Sequence, residues 1–506
     1  MAFLQWLKED YKPFLFFVFI FIALLMKSLS INKSRSRRSN FPPGPPTLPI
    51  IGNLHQLGTM PHLSLQGLAE KYGPIIFLQL GEIPTVVVSS ARLAKEVLKT
   101  HDLALANRPQ LFSAKYLFYN CTDIVFSPYG GYWRHIRKIC ILELLNAKRV
   151  QSYSSVREEE VSRLVHRVAG SYPRTINLSK ILNQYANNVL CRVAFGRDFS
   201  EGGDNQRFGF QKMLDEYQEL LGGFSLGDFF PSLEFMHSLT GMKSRLEDTS
   251  LRFDQLIDKI LNEHMASNKI EEHKDLVDVL LEVQKNDSAE MPLTTDNIKA
   301  IILDMFAAGT DTTFITLDWA MTELLMNPHI MEKAQKEVRS ILGERRVVAE
   351  SDLHQLHYTS AVIKETFRLH PAVPVLVPRE SMEDVIIDGY KIPAKTRIFV
   401  NAWAVGRNLE SWEDPNAFKP ERFLESNVDF RGQDFELIPF GAGRRGCPAI
   451  TFSVAVVELA LAQLLYSFNW ELPPGVAPKD LDLTEVFGIS MHRRENLNVV
   501  AKPYLL

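Results

Sequence analysis

Apolar residues recur at the spacing of an amphipathic helix over one long segment in the second half of the chain. The segment begins after Thr295, a suitable N-cap, and Asp296 lies in its first turn. It ends at Asn327 and Pro328. The apolar positions inside it are Ile298, Ile301, Ile302, Met305, Phe306, Ile315, Trp319, Leu324 and Leu325. At 1.5 Å per residue the predicted helix is about 45 Å long, enough to cross a whole domain.

Two shorter helices are predicted directly after it. The first has Pro328 in its first turn and ends at Gly343, residues that helices favour at their beginning and just past their end. The second lies around Thr359 to Leu369 and ends before Pro371, because proline cannot continue a helix.

The pattern then changes to short strands and turns. Segment 385–392, Val-Ile-Ile-Asp-Gly-Tyr-Lys-Ile, predicts a β-hairpin, and Thr396–Val400 predicts a strand. A last helix is predicted within Ala449–Phe468. Helices thus come first, followed by a smaller β-rich part and a final helix, without the alternation of a βαβ fold. The sequence predicts a mainly α fold with a smaller β-rich part.

The N-terminus differs in kind from the rest of the chain. An unbroken apolar run extends from Phe14 to Met26, a length that would also suit the core of a cleaved signal peptide. No small-residue cleavage site follows, and the distal flank is basic, with Lys27, Lys33, Arg35, Arg37 and Arg38. These features predict that residues 1–31 form an uncleaved membrane anchor helix and that the remainder is cytosolic.

Residues 32–60 are basic and proline-rich and are predicted to form a linker. Five prolines lie between Phe41 and Pro49, which is typical of a stiff, extended spacer above a membrane; an incidental disordered linker is the alternative. No repeat, low-complexity tract or second linker interrupts residues 61–506, so we expect this part to form one catalytic body.

Composition narrows the class of protein. The 506 residues are 46% hydrophobic and can bury a large core, and a formal net charge of −4 does not indicate a nucleic-acid partner. The four cysteines are Cys121, Cys140, Cys191 and Cys447, with no C-x-x-C pair. Neither a disulfide framework nor a zinc site is indicated, and a reducing compartment fits better. Three of the four are most simply buried small residues.

The loop before the last predicted helix has two interpretations. It reads Pro-Phe-Gly-Ala-Gly-Arg-Arg-Gly-Cys-Pro over residues 439–448, and Gly441, Gly443 and Gly446 match the G-x-G-x-x-G of a dinucleotide-binding loop. That fingerprint requires repeated βαβ units, which the preceding segment does not show. Only 60 residues follow Gly446, too few for the rest of such a sheet.

The alternative is a loop that presents the Cys447 thiolate. Cys447 is expected at a helix N-cap, with Pro448 at the first helical position. The helix dipole, Arg444 and Arg445 should then lower the pKa of the thiol below its free value. Gly441 and Gly443 would let the backbone approach a flat, bulky group.

A thiolate can act as a nucleophile or as a metal ligand. No motif supplies a papain-like histidine partner, although histidines remote in sequence could still reach Cys447. One thiolate surrounded by glycines and arginines suits haem, whose iron takes one sulfur and whose propionates require cations.

The pattern formed by Phe440, Gly443, Arg445 and Cys447, F-x-x-G-x-R-x-C, resembles the haem-binding loop of the cytochrome P-450 monooxygenases. Other family motifs follow in order, so the resemblance covers essentially the whole chain. It implies the cytochrome P-450 fold, haem b with Cys447 as axial ligand, and electrons from NADPH through NADPH-cytochrome P-450 reductase docked on the cysteine side. One departure is Ala449, where the family usually has glycine; the extra methyl group could shift the helix relative to the porphyrin.

Glu365 and Arg368 resemble the E-x-x-R motif of the family. Glu160 and Arg163 show the same spacing but are expected to form an exposed pair on a helix surface. The position of Glu365 before Pro371 selects the later copy. By the same resemblance Arg422, within Pro-Glu-Arg-Phe at 420–423, completes a buried structural network with Glu365 and Arg368.

Four residues match family positions that contact the haem propionates: Trp133, Arg137, Arg379 and Arg445. Trp133 and Arg137 are four residues apart, so a helix would place both donors on one face. Without the other motifs, the simpler interpretation would be a solvated arginine on an amphipathic helix.

Ala-Gly-Thr-Asp-Thr-Thr at 308–313 resembles the oxygen-activation motif of the family. The resemblance implies that Asp311 relays protons from solvent and that Thr312 hydrogen-bonds oxygen above the iron. Alone, the motif would equally suit a threonine cluster that bends a helix. Asp304, Ala308 and Thr312 lie four residues apart, so one stripe of the helix should face the cavity.

Family alignment also places a substrate pocket. Its expected walls are Arg108–Val125, Leu221–Phe230, Asp304, Ala308, Val373–Val377 with Val373 and Val375 facing inward, Ile489 and Ser490. These residues are mostly apolar, which favours a hydrophobic small-molecule substrate. The sequences of the linker, the long helix and the cysteine loop resemble those of plant microsomal members of the family. This resemblance implies a single-pass protein of the endoplasmic reticulum membrane.

Two alternatives to a monooxygenase remain open at this stage. One is a haem-thiolate isomerase or dehydratase that does not use dioxygen; family branches of that kind usually lose the acid and threonine that Asp311 and Thr312 provide here. The other is a non-enzymatic haem sensor or carrier.

Overall fold

The computed structural model describes residues 40–197, 209–223, 225–266, 274–286 and 291–504. The predicted anchor, residues 1–31, and the start of the linker lie outside these ranges. The helices of the described part are α1 Pro61–Tyr72, α2 Ala91–Lys95, α3 Phe112–Leu117, α4 Gly131–Ile139, α5 Ala147–Ser152, α6 Ser154–Ala169, α7 Leu178–Phe195, α8 Phe210–Gly222, α9 Leu226–Phe229, α10 Met236–Leu239, α11 Met242–Ala266, α12 Leu276–Asn286, α13 Thr295–Met326, α14 Pro328–Leu342, α15 His357–Leu369, α16 Ala402–Val405 and α17 Ile450–Ser467.

The strands are short. They are β1 Ile75–Leu80, β2 Ile83–Val88, β3 Ile176–Asn177, β4 Arg379–Glu380, β5 Val385–Ile387, β6 Tyr390–Ile392, β7 Arg397–Val400, β8 Phe468–Glu471, β9 Glu485–Val486, β10 His492–Arg493 and β11 Asn498–Pro503. The largest sheet has the order β1-β2-β7-β4, with β2 and β7 parallel and the other neighbours antiparallel. Since helices make up most of the described chain, the predicted mainly α class is confirmed.

Helix α13 is the centre of the larger core, and its N-cap differs from the prediction by one residue. Thr294, not Thr295, caps it: Thr294 Oγ1 accepts from the N–H of Asn297 at 3.2 Å, and Asn297 Oδ1 accepts from the N–H of Thr294 at 3.0 Å. This reciprocal pair is a capping box. By length and composition, α13 and α17 could each cross a membrane, but both are mostly buried inside this fold and act as core helices.

The other predicted elements are confirmed close to their expected limits. Helix α14 begins at Pro328 and ends before Gly343, which has a φ of +58°. The predicted hairpin consists of β5 and β6, and its turn residues Asp388 and Gly389 both have positive φ, the geometry that favours tight hairpins. The predicted strand is β7, and the last predicted helix is α17.

A buried carboxylate joins α15 to the chain that leads to the cysteine loop. Glu365 is fully buried; its Oε1 and Oε2 accept from Arg368 at 2.7 Å each, and Oε1 also accepts from Arg422 at 3.1 Å and from the N–H of Lys419 at 2.7 Å. The remaining guanidinium nitrogen of Arg368, Nη1, donates to the carbonyls of Gly406 and Pro415, each at 2.6 Å. Residues 406–422 are therefore fixed against α15.

The earlier E-x-x-R copy, Glu160 and Arg163, differs from its expected exposed state. Glu160 is buried, and only its partner Arg163 is exposed. Glu160 also accepts from Arg192 on α7 at 2.9 Å. The expectation was wrong because the packing of α6 on α7 covers this face of α6.

Candidate active site

Cys447 and the middle of α13 line the same cavity, which encloses about 240 Å³. Ala308, Gly309 and Thr312 lie in the middle of its wall on α13, which also includes Asp304, Met305, Thr313 and Thr316. Val373 contributes from the segment after α15. The structure thus brings the cysteine loop and the helix motif, more than a hundred residues apart in sequence, to one site.

The sequence predicted Cys447 as the N-cap of α17, and the structure shows that it is not. The helix begins at Ile450 with Ala449 as the capping residue, so Cys447 lies just ahead of the first turn. The Cys447 N–H donates to the Phe440 carbonyl at 2.9 Å, and the Ala449 N–H points to Cys447 Sγ at 3.4 Å. Ala449 has a φ of −99°, so its methyl group causes no backbone strain where the family usually has glycine.

The predicted fall in the pKa of Cys447 is also wrong in this structure. Burial raises the pKa of the thiol and outweighs the Ala449 N–H and the Arg137 charge, which lower it. Arg444 is engaged elsewhere, with Nη1 2.9 Å from Asp102 Oδ2. The guanidinium of Arg445 donates to backbone carbonyls. Neither of the two neighbouring arginines is therefore among the groups that act on the sulfur.

The glycines of the loop serve its shape and its packing. Gly441 and Gly443 both have positive φ, +64° and +69°, which L side chains rarely adopt. A Cβ on Gly443 would lie 2.2 Å from the Leu98 carbonyl oxygen and 2.6 Å from Asp102 Oδ1. The close approach at Gly443 is thus to protein rather than to a ligand. No βαβ unit surrounds this loop in the described residues, so the dinucleotide interpretation is excluded.

The tryptophan and arginines assigned to propionate contacts gather beside the cysteine loop. Arg137 Nη2 donates to the Gly446 carbonyl at 2.7 Å, and Arg379 Nη2 donates to the Ala442 carbonyl at 2.8 Å. The guanidinium carbon of Arg445 lies 4.2 Å from the centre of the Trp133 ring. Four side chains from α4, β4 and the loop itself therefore converge here.

Another arginine, Arg108, lines the same cavity, so four guanidinium groups share the site. Burial and mutual repulsion lower the pKa of Arg445 to about 9, and burial is the main cause that lowers the pKa of Arg108, Arg137 and Arg379. Buried cations that repel one another favour an anionic ligand. The two carboxylates of haem b would meet that requirement.

Asp102 is a site residue that the sequence did not reveal. Oδ1 accepts from Arg379 at 2.7 Å, and Oδ2 accepts from the backbone N–H of Arg444 at 3.0 Å and from its side chain at 2.9 Å. It follows a π-helical turn, Glu96–Thr100, that extends α2. No motif marks this position, because its role depends on contacts with residues far along the chain.

Asp311 and Thr312 are neighbours in sequence but face different spaces. Thr312 lines the cavity of Cys447 and donates to the Ala308 carbonyl at 2.6 Å. Asp311 lines a separate cleft, where it accepts from Ser490 Oγ at 3.2 Å. Burial raises the pKa of Asp311, and Ser490 and His492 lower it. A helix turns about 100° per residue, which accounts for the separation.

The expected substrate pocket is reproduced only in part. Asp304, Ala308 and Val373 line the cavity of Cys447, as does Val377. Both ends of the predicted range 108–125 also line it, at Arg108 and at Ile124 and Val125. Val375 packs instead against the β1–β2 hydrophobic cluster, and Ile489 lines the cleft of Asp311. Segment 221–230 does not contribute to this cavity among its described residues.

The residues of the site fit haem b. Cys447 supplies one sulfur for iron, and the four arginines supply cations for two carboxylates. The remaining cavity wall is largely apolar, as a porphyrin face requires; examples are Leu376, Phe440 and Val457. The thiol, the cations and the apolar walls occupy one connected space, so a single prosthetic group could engage all three.

Comparisons with known proteins agree with this geometry. The family model described as Cytochrome P-450 matches residues 42–498. The chain is 74% identical to cytochrome P-450 71AP13 of Prunus mume over 504 residues, 99% of this chain and 98% of that protein. It is 47% identical to premnaspirodiene oxygenase of Hyoscyamus muticus over 494 residues, 96% of this chain and 97% of that protein.

A solved structure of a zebra fish cytochrome P-450 with abiraterone has a TM-score of 0.77 to this chain at 27% sequence identity. It covers 89% of this chain and 100% of the zebra fish chain. The likeness confirms the fold that the sequence resemblance implied.

The two loop glycines provide a matched test of the site. Gly443→Ala should lower the free energy of unfolding by about 3 kcal/mol, because it adds both a positive-φ penalty and overlap with Leu98 and Asp102. Gly441→Ala, whose Cβ would meet only Leu376 at 3.7 Å, should cost about 1 kcal/mol. Urea unfolding of both variants measures the difference. Equal losses would show that Gly443 is not required for packing on Leu98.

Proposed function

This chain belongs to the cytochrome P-450 family, and on that premise we propose that it inserts one oxygen atom of O2 into a hydrophobic small molecule of plant specialised metabolism. The family is one of oxygen-incorporating oxidoreductases with haem-thiolate iron, so the chain is an enzyme of that class. The proposed reaction is RH + O2 + NADPH + H+ → ROH + H2O + NADP+. The observation that carries it is the cavity that Cys447 shares with Thr312.

Different residues of the site have different roles in this proposal. Cys447 binds the haem iron, and the cluster of Arg137, Arg379 and Arg445 binds the propionates. Bound haem supplies the chemistry of oxygen transfer. Ala308 and Gly309 keep side-chain bulk away from the middle of the cavity wall, and Thr312 holds a hydroxyl proton there.

Proton supply must cross α13 in this proposal. Asp311 lines the cleft together with Ser490 and His492. Thr312 lines the cavity of Cys447. A proton taken up by Asp311 would reach the cavity by way of the Thr312 hydroxyl or a water beside it.

The substrate is proposed to be apolar. Val373, Val377 and Met305 line the cavity near Thr312, and the charged side chains of its wall are engaged with protein groups. The relative in Hyoscyamus muticus is named an oxygenase, which supports oxygen insertion over the isomerase alternative. The family assignment likewise disfavours a non-enzymatic sensor.

Electrons are proposed to come from NADPH-cytochrome P-450 reductase. Two exposed basic residues support this: Arg444 lies in the cysteine loop, and Lys138 follows Arg137, whose guanidinium binds the Gly446 carbonyl. Residues 1–31 are proposed to anchor the protein in the endoplasmic reticulum membrane, with the catalytic body in the cytosol.

The proposed activity is tested with purified enzyme, reductase, NADPH and O2. Reduced wild-type enzyme with carbon monoxide should show the red-shifted Soret band of thiolate-ligated haem. Hydrophobic compounds that shift the haem spectrum on binding should raise NADPH oxidation and form a product containing one added oxygen.

Cys447→Ser should abolish both the band and product formation, because a hydroxyl is a poor and rarely ionised iron ligand. Cys191→Ala, which changes a buried cysteine outside the cavity, is the matched control and should retain both. Survival of the red-shifted band in Cys447→Ser would assign the iron ligand to another residue.

Thr312→Ala should uncouple NADPH oxidation from product formation. The variant should keep the haem, its thiolate spectrum and NADPH oxidation, because the hydroxyl is not an iron or propionate ligand. Product per NADPH should fall several-fold while hydrogen peroxide rises to match, since the group that directs protons is lost. A change of that size corresponds to about 1 kcal/mol between competing barriers, within reach of one hydrogen bond.

Thr316→Ala is the control for this experiment. Thr316 lies one turn further along α13 and makes the same kind of bond, to the Thr312 carbonyl at 2.8 Å. It should leave the ratio of product to peroxide near that of the wild type. Equal coupling in wild type and Thr312→Ala would assign Thr312 a structural role in the helix.

The proposed topology is tested by glycosylation. Asn120-Cys-Thr, Asn177-Leu-Ser and Asn286-Asp-Ser are acceptor sequences, but a cytosolic body does not meet the lumenal transferase. We expect no glycan at these sites in eukaryotic cells, and digestion of the body when protease is added to sealed microsomes. An N-terminal extension carrying an acceptor sequence is the control and should be glycosylated. Glycan at Asn120, Asn177 or Asn286 would overturn the orientation.

A further inference from the structure

Two buried carboxyl groups meet between α13 and the loop that precedes α4. Asp304 lies on α13, one turn before Ala308, and is 3% exposed. Asp123 lies in the loop and is 0% exposed. Neither is an iron or propionate ligand in the proposed function, and no lysine or arginine forms a salt bridge with either among the described residues.

Hydrogen bonds account for only one oxygen of each group. Asp304 Oδ2 accepts from the Ile124 N–H at 2.6 Å, and Asp123 Oδ2 accepts from Val125 at 3.0 Å and Phe126 at 2.7 Å. The Oδ1 atom of each residue is buried without a hydrogen-bond donor in the described part of the chain. Because Asp304 binds the N–H of Ile124, the residue after Asp123, the two carboxyl groups are neighbours, and each acts on the pKa of the other.

Two ionised carboxylates cannot share such a contact, because their repulsion is large away from water. One proton between the two groups converts the repulsion into a hydrogen bond, as in other buried carboxyl pairs. Burial is the main cause that raises the pKa of both residues, and the charge of Asp123 adds to it at Asp304, whose pKa lies well above its ordinary value.

The surroundings decide which residue carries the proton. Asp123 accepts two backbone N–H bonds, whereas Asp304 accepts one. The positive charges of Arg108 and Arg445 also act on Asp123. Both effects stabilise the charged form of Asp123. The ionisable groups facing the pair from the neighbouring elements are Arg108, Cys121, Tyr132, Cys140, Tyr217 and Arg445.

We propose that Asp304 is a neutral carboxylic acid near pH 7 that donates to the Asp123 carboxylate, and that this pair positions the Ile124 peptide. The Ile124 carbonyl accepts from Trp133 Nε1 at 2.9 Å and from Arg445 Nη1 at 3.3 Å. The Ile124 N–H is held by Asp304 at the same time. The shared proton thereby connects the cavity helix to the tryptophan and arginine of the propionate cluster.

Asp304→Asn is the diagnostic variant, because its amide can both donate to Asp123 and accept from Ile124. Wild-type enzyme at pH 7 should show an infrared carboxylic-acid C=O band, which carboxylates lack, and the band should be missing in Asp304→Asn. Asp296→Asn, at an exposed position of the same helix, should leave the band unchanged. A wild-type spectrum identical to that of Asp304→Asn would overturn the proposal.

Unfolding against pH provides a second, independent measurement. A carboxyl group whose pKa is raised by folding stabilises the fold fully below its unfolded pKa, and this contribution is lost as pH rises through the folded value. Asparagine lacks that dependence. The unfolding temperature of Asp304→Asn relative to wild type should therefore rise steadily from pH 5 to pH 9. Parallel profiles would show that Asp304 is ionised in the folded protein.

Haem release tests the positioning role. Asp304→Ala, which can neither donate nor accept, should release haem to an acceptor such as apomyoglobin several-fold faster than wild type, whereas Asp304→Asn should release it at the wild-type rate. Equal rates for all three proteins would overturn the positioning role. The infrared and unfolding measurements need neither turnover nor substrate, so failure of the proposed monooxygenase function would be seen separately.

Discussion

The position of Cys447 depends on hydrogen bonds between the backbone of the cysteine loop and side chains outside the loop. Residues 439–449 form only one short 3-10 turn, Gly443–Arg445, and several of their N–H and C=O groups are bonded by residues outside the loop. Arg379 binds the Ala442 carbonyl, Arg137 binds the Gly446 carbonyl, and Asp102 accepts from the Arg444 N–H. A buried polar group without a partner costs about 1–3 kcal/mol, which makes these contacts a condition of the loop conformation.

The same contacts bring several positive charges together in a buried space, which is electrostatically unfavourable. Side chains that bind the loop bring several guanidinium groups into a space where burial lowers their pKa. Burial also favours the uncharged form of the Cys447 thiol, because it raises the pKa of that group. A haem group held here would relieve both: its carboxylates would offset the excess of cations, and its iron would stabilise the thiolate. Loop conformation and prosthetic group would then be coupled, and loss of either would weaken the other.

Local sequence signals were sufficient to predict the helices and strands, but they were not sufficient to predict the arrangement of the site. The limits of α13 and α14 could be predicted to within a residue, because a capping box, Pro328 and Gly343 act over one turn. The assignment of Cys447 as the iron ligand came from the cysteine motif, and it stays a prediction. The burial of Glu160, the role of Asp102 and the displacement of Ile489 from the cavity could not be predicted, because each depends on packing between segments distant in sequence. Even the pKa of Cys447 moved against the local expectation for that reason.

Helix α13 also resolves a conflict between excluding water and supplying protons. An apolar cavity protects the reacting centre from water, yet the proposed reaction consumes protons. In the proposed function the two demands fall on different faces of one helix: Asp311 lines the polar cleft with Ser490, and Thr312 lines the cavity. Adjacent positions on a helix diverge by about 100°, so two consecutive residues can serve both sides. An acid directly followed by an alcohol is thus the shortest sequence that lets one helix act as a barrier to water and a passage for protons.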